Sequence, residues 1–339
     1  MNLRVHRDVA GIIAFIIAGF LLSGCASSTS RAGRTPAVVE PQPYMRVAKP
    51  DANTISLQIA LRRFVPEKGS GPDVWLSGAS HVGDSNYFAK LQKHLDAQPL
   101  VLFEGVGGKS KKKMRFDPEE ETSIQHTMAS ALGLVFQLSA IDYDRPQFRN
   151  SDLTIGQLQQ LLAGGSGADQ PGQGGGNAPA NREFQELLQV MDGSSMLGTL
   201  LHVGLKFIGS SPKLQAMTKV VLIETLGQIT GDMSQIKGMP PEIQRLLSVI
   251  ILERNKVVLG ELRKELRAVR PPKAVSIFYG AGHMVDLEKR LRTELRYRPR
   301  GEVWLTAMSV DLRAAGLSET EMEAMRGLIR WQMEALKSE

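Results

Sequence analysis

Two histidines stand in the same local setting about two hundred residues apart. "VWLSGASHVGDSNYF" (Val74–Phe88) leads a strand-like apolar run into Gly78-x-x-His81. "AVSIFYGAGHMVDLEKRL" (Ala274–Leu291) leads another into Gly280-x-x-His283, and both then turn helical. A third apolar run, in "QPLVLFEGVGG", stops at Glu104. All three side chains bind metals or move protons. Two imidazoles and a carboxylate suit zinc, manganese, iron or cobalt, with an open position for water. A glycine before each histidine allows a sharp turn and close packing. The positive end of the helix that follows disfavours imidazolium and keeps each ring neutral, the form a metal needs. A lone histidine at a strand end usually serves a structural hydrogen bond; the repetition is what points to a joint site. His94, His126 and His202 have no such setting and read as structural.

Other residues read more plainly. Alone, Arg254 in "LERNK" is a surface helix residue paired with Glu253 or Glu261. Asp142 and Asp144 shape an Asp-Arg-Pro turn. The glycines from Gly164 to Gly176 are not followed by Gly-Lys-Ser/Thr, which excludes a phosphate loop of that type. "GASHVG" has Gly78 two residues before Ser80 but Val82 two residues after it, so it is not a Gly-x-Ser-x-Gly nucleophile elbow.

Strands ending near Ser77 and Phe103, with an amphipathic helix over Ser85–Asp96 between them, make a β-α-β unit and hence a parallel pair. A helix over Thr122–Leu134 leads to "LVFQLSAIDYDRP", which predicts a third strand ending near Asp142, with Pro146 stopping its ladder. Low-complexity sequence marks a flexible Gly-rich loop at about 163–180. Glu183–Leu266 is predominantly helical, and its last segment starts at Pro240-Pro241. Gly301–Ser309 reads as a further strand. Ser318 with Glu321 fits a capping box before a closing helix. The expected fold is α/β: a central mostly parallel or mixed sheet flanked by helices, with a long helical insertion between the two Gly-x-x-His units. Ligands in such sheets bind beyond the carboxyl ends of the strands, so the strands before His81 and His283 must run parallel to form one site.

The chain's 339 residues carry a formal charge of +6, spread along it, and nothing resembles a nucleic-acid module. Arg4 and Arg7 precede an apolar run, Ala10–Leu22, shorter than the ~20 residues of a membrane span. This is the anatomy of an export signal. Its end, Leu22-Ser23-Gly24-Cys25, resembles the lipobox of bacterial lipoproteins, which implies lipidation of Cys25, the only cysteine. Ala26 after it favours an outer-membrane address facing the periplasm. Residues 1–24 are then the signal, 25–53 the lipidated cysteine and a flexible Ser/Thr/Pro-rich tether, and 54–339 the α/β body.

"SGASHVGDSNYFAKL", "PLVLFEGVG", "LGLVFQLSAIDYDRPQFRNSDLT", "LERNK" and "IFYGAGHMVDLEKRL" together resemble the TraB/PrgY/GumN family and its relatives, the Tiki metalloproteases. The resemblance spans roughly Val74 to Ser309. It implies His81, Glu104 and His283 as ligands of a divalent metal (Mn, Co, Zn or Fe), with Glu104 as ligand or general base. It further implies Arg254 as a catalytic group offsetting charge on a substrate oxygen, and hydrolysis of peptide or protein substrates. Asp142 is the candidate to orient one imidazole. Related members bind haem or regulate signalling without catalysis, so a ligand-binding or regulatory lipoprotein is the alternative. The Gly/Pro/Gln-rich stretch departs from the family's motifs.

Overall fold

The computed structural model describes residues 41–105, 124–162, 196–229, 231 and 247–338. The expected signal with Cys25, the Gly-rich loop and the Pro240-Pro241 helix start lie outside these residues. Strands β1 (Met45–Ala48), β2 (Thr54–Pro66) and β3 (Asp73–Ala79) open the body. A two-residue β4 (Val82–Gly83) precedes helix α1 (Ser85–Asp96). Helix α1 buries Tyr87, Phe88, Leu91 and Leu95, a stripe at helical spacing. Then come β5 (Val101–Phe103), α2 (Ile124–Ala131), β6 (Val135–Phe136), the single turn α3 (Gln137–Ala140) and β7 (Phe148–Asn150). Helices α4 (Ile155–Leu162), α5 (Met196–Gly209) and α6 (Pro212–Leu226) belong to the insertion. A π-helical turn (Ser248–Glu253) runs into α7 (Arg254–Leu266). The chain closes with β8 (Ala274–Gly280), a 3-10 turn (Ala281–His283), α8 (Met284–Glu294), β9 (Tyr297–Asp311) and α9 (Glu319–Ser338).

The protein has a mixed α/β fold. Seven strands form one sheet in the order β1-β2-β3-β8-β5-β7, with β9 along the other edge of β2. The half that runs β3-β8-β5-β7 is parallel throughout, so four carboxyl ends meet at one edge. Strands β3 and β8 pair in register from Asp73 opposite Ala274 to Ala79 opposite Gly280, despite the insertion that separates them in sequence. Helices cover both faces because the parallel strands are apolar on both. Val74, Leu76, Val275, Ile277 and Tyr279 pack with α7 and α8, while Ala79, Phe103 and Phe278 pack on the α1 side. Ser77 and Ser276 also face α1, where their hydroxyls pair at 2.8 Å and His94 Nε2 meets Ser77 at 3.1 Å. This is the structural role expected of His94. Among the described residues no helix is long and apolar enough to cross a membrane. The capping box is present: Ser318 N–H and hydroxyl both donate to Glu321, whose own N–H donates back to Ser318 Oγ.

Two expectations are corrected. The flexible tether does not extend to residue 53, because Met45–Ala48 is a strand paired with β2 and Tyr44 is buried. Tyr44 donates to Glu288 Oε2 at 2.8 Å, and Arg62 bonds Glu288, Glu302 and the carbonyls of Gln42 and Pro43, tying the start of the body down. The third parallel strand does not end near Asp142 either. Only Val135–Phe136 is extended there, and it pairs with β4 outside the main sheet. The strand that joins β5 is Phe148–Asn150, after Pro146 and not before it. The reason is local: Asp142 accepts the Asp144 N–H and pairs with Arg145, which closes a turn where the ladder was expected.

Candidate active site

The site lies beyond the carboxyl ends of β3, β8 and β5, where ligands of such sheets bind. Glu104 follows β5 directly, and its N–H donates to the Phe278 carbonyl of β8 at 3.0 Å. His81 follows β3, and its carbonyl accepts the Gln137 N–H at 2.8 Å, so the small β4–β6 ladder holds its loop. His283 ends the 3-10 turn and caps α8, whereas β4 intervenes between His81 and α1. The dipole argument therefore applies to His283 alone.

Gly280 explains how the three side chains come together. Its backbone lies in a region open to any residue (φ −51°), so no strain requires glycine here, and its value is as a marker of what surrounds it. A Cβ at this position would lie 3.4 Å from Glu104 Oε2 and 3.8 Å from both His283 Cδ2 and His81 Nε2. The groups thus converge around one backbone atom. Gly78 in β3 differs, since a Cβ there would crowd the Ala60 carbonyl of β2 at 3.1 Å.

Arg254 completes the cluster from the other layer. The π-helical turn before it, a device often found at functional sites, delivers it to the sheet edge at the start of α7. Its Nη2 pairs with Glu104 Oε1 at 2.7 Å, and Nε and Nη2 grip Asp152 at 2.9 and 2.5 Å. Asp152 also accepts the N–H groups of Gly105 and Leu153. The second oxygen of Glu104 accepts the Gly280 N–H at 2.7 Å. Burial would raise the pKa of Glu104, but the Arg254 charge, together with smaller contributions from His283, His81 and the Gly280 N–H, outweighs it and holds the carboxyl well below the usual carboxylate range. Burial pushes the His283 imidazole down to about 4, with Glu104 opposing, so the ring is neutral at pH 7. His283 Nδ1 bonds Asn255 Oδ1 at 2.8 Å, and its Nε2 lies 3.6 Å from Glu104 Oε1. Tyr279 donates its hydroxyl to the Ser151 carbonyl beside Asp152, and its ring meets His283 edge-on. His81 is exposed while His283, Glu104 and Arg254 are largely buried, so the cluster is open on the His81 side.

His81, Glu104, His283 and Arg254 are therefore brought together. Asp142 is not: it sits on an exposed turn, bonded to Arg145 and Asp144. The carboxylate that does enter the cluster is Asp152, which sequence reasoning missed together with Asn255 and Tyr279. The available signal for Asp152 was its place two residues past a strand end, but that strand is three half-exposed residues and left no apolar trace.

The donor types fit a divalent cation. Two imidazole nitrogens and a carboxylate oxygen face one region, and the formal charges of Glu104, Asp152 and Arg254 sum to −1. Among the described residues, however, no three His, Cys, Asp or Glu groups are already placed to hold a metal ion. The class this defines is an α/β protein with a carboxylate–guanidinium–imidazole cluster at a parallel-sheet edge. Compared with known proteins, the chain matches no family model, no curated protein and no solved structure.

Proposed function

We propose that the protein is a metal-dependent hydrolase, with peptides as its substrate class. The observation that carries this reading is the convergence of His81, Glu104 and His283 around Gly280, with Arg254 bonded to Glu104. Nε2 of His81, Nε2 of His283 and Oε1 of Glu104 are the atoms that would hold the ion. When bound there, a divalent ion supplies polarisation of a carbonyl and acidification of water. The chain's own groups divide the remaining work. Glu104 stays ionised across the physiological range, which suits it to hold positive charge and makes it a poor proton acceptor. Its contribution is then as ligand and not as general base. Arg254 fixes the Glu104 carboxylate and is itself anchored by Asp152, so it acts first as an organiser of the site. Exposed His81 marks the side from which a substrate arrives.

Peptide as the substrate class, and membership of the TraB/PrgY/GumN family, rest on the motif resemblance and on fold analogy. The same proposal has the protein held at the outer membrane, facing the periplasm, by lipid on Cys25. Metal analysis of the full chain prepared without chelator tests the reading, together with hydrolysis of a fluorogenic peptide library. A stoichiometric divalent ion that is lost from the His81→Ala and His283→Ala variants, and peptide cleavage that is lost with it, is expected. Wild-type protein that takes up no added Zn²⁺, Mn²⁺ or Co²⁺ would overturn it.

A further inference from the structure

The hydrogen bonds around Asn255 settle which nitrogen of His283 carries the proton. Asn255 Nδ2 donates to Asp286 Oδ2 at 2.8 Å and to the His283 carbonyl at 3.2 Å. Asp286 Oδ2 also accepts from Arg290 Nε at 2.7 Å, so it faces two N–H donors. Both neighbours of Nδ2 are thus pure acceptors. Turning the amide over would set Asn255 Oδ1 against two oxygens, so its orientation is fixed by its surroundings and not by choice of label. Oδ1 then faces His283 Nδ1 at 2.8 Å, and an amide oxygen can only accept. The proton is on Nδ1. A neutral imidazole has one N–H, so Nε2 carries a lone pair, and it points toward Glu104 Oε1 at 3.6 Å.

We infer that Asn255 is a positioning residue: held by Asp286, it locks His283 in the Nδ1–H form and so makes His283 Nε2 an acceptor facing the Glu104 carboxylate. Asn255 is fully buried, and both it and Asp286 lie in the polar seam between α7 and α8. Two acceptors that face each other share a cation or a donor hydrogen from a bound molecule; they do not satisfy one another. The lock therefore decides what the cluster is for. With the proton on Nε2, His283 would donate to Glu104 and close the pair internally. With the proton on Nδ1, both atoms remain able to bind something else. The Nδ1 proton follows from hydrogen-bond geometry, the bare Nε2 follows from it in the neutral ring, and the use of Nε2 as a metal ligand rests on the hydrolase reading.

Two-bond ¹H–¹⁵N correlation spectra of the ¹⁵N-histidine-labelled, chelator-treated full chain at pH 7 test the inference, with His283 assigned by single-histidine replacement among the six histidines. The wild type is expected to show His283 protonated on Nδ1 and bare on Nε2. A signal from Nε2–H, or from the doubly protonated ring, would overturn the inference whatever the protein does with metals. In Asn255→Ala the proton is expected to move to Nε2, where Glu104 accepts it, and Zn²⁺ affinity is expected to fall about 10–100-fold, as for other groups that orient metal-bound histidines. A folded Asn255→Ala that keeps the wild-type tautomer would also overturn it. If Asn255→Ala does not fold, the wild-type spectrum still decides. A wild type that has the Nδ1–H form yet binds no Zn²⁺ would sink the hydrolase reading and leave the lock standing.

Discussion

Replacing Arg254 by methionine removes the guanidinium but keeps a long apolar side chain, which isolates the charge from the packing. In the wild type one cation serves two carboxylates, with Asp152 fully buried and Glu104 14 % exposed. Without it, two negative groups are left close together in a low-dielectric setting. Their backbone donors, Gly280 N–H for Glu104 and Gly105 and Leu153 N–H for Asp152, soften the loss without cancelling it. Removing one partner of a buried ion pair costs about 3–5 kcal/mol. For a domain of this size each kcal/mol lowers Tm by roughly 2–4 °C, so a fall of roughly 6–20 °C is expected at pH 7. The sign of the pH dependence follows from Glu104. Its lowered pKa contributes stability that is present above the ordinary carboxylate value and lost as the pH falls below it. The variant lacks that contribution, and its unpaired carboxyl gains stability by taking up a proton. The gap between variant and wild type is therefore widest near pH 7 and narrows toward pH 4. Calorimetry at both pH values measures it. A variant that melts with the wild type at pH 7, or a gap that widens in acid, would refute the buried cluster. This outcome differs from that of an arginine that acts only on substrate, whose loss would leave stability untouched.

Three further outcomes can be measured. Gly280→Ala places a methyl group at ordinary contact distance from Glu104, His283 and His81 without backbone strain, so Tm should shift by no more than the ~1 kcal/mol of an ordinary point mutant; a larger loss in calorimetry would contradict this packing. His94, like His283, has its pKa pushed down by burial to about 4, so the folded state resists its protonation. Stability should be full above about pH 6.5 and decline as the pH falls toward 4, and His94→Gln should flatten part of that slope in a Tm-versus-pH series. Cys25→Ser should abolish palmitate labelling and leave the precursor uncleaved; a wild type that takes up no label removes the lipobox reading.

The fold was legible in the sequence wherever burial wrote a period into it. Helix Ser85–Asp96 and the strands of the two Gly-x-x-His units are apolar runs of ordinary length, and their carboxyl ends carry the histidines that the sheet order brings side by side. Illegible parts share one physical cause: they are held by polar contacts that leave no hydrophobic pattern. Strand Phe148–Asn150 is short and half-exposed, and it was missed; the third ladder was instead expected to end near Asp142. Had its end been recognised, the rule that found Glu104 would have led to Asp152. Tyr44–Ala48 looked like tether because its order comes from pairing with the neighbouring β2 and from polar contacts with Glu288, distant in sequence, and Arg62. Asn255 stood beside Arg254 in "LERNK", adjacent in sequence but opposite in role. Arg254 reaches the carboxylates and Asn255 reaches the imidazole, so one helical turn organises both the charge and the lone pair of the site. A pairwise reading of side-chain types could locate the candidate site, but its hydrogen-bond network had to come from the structure.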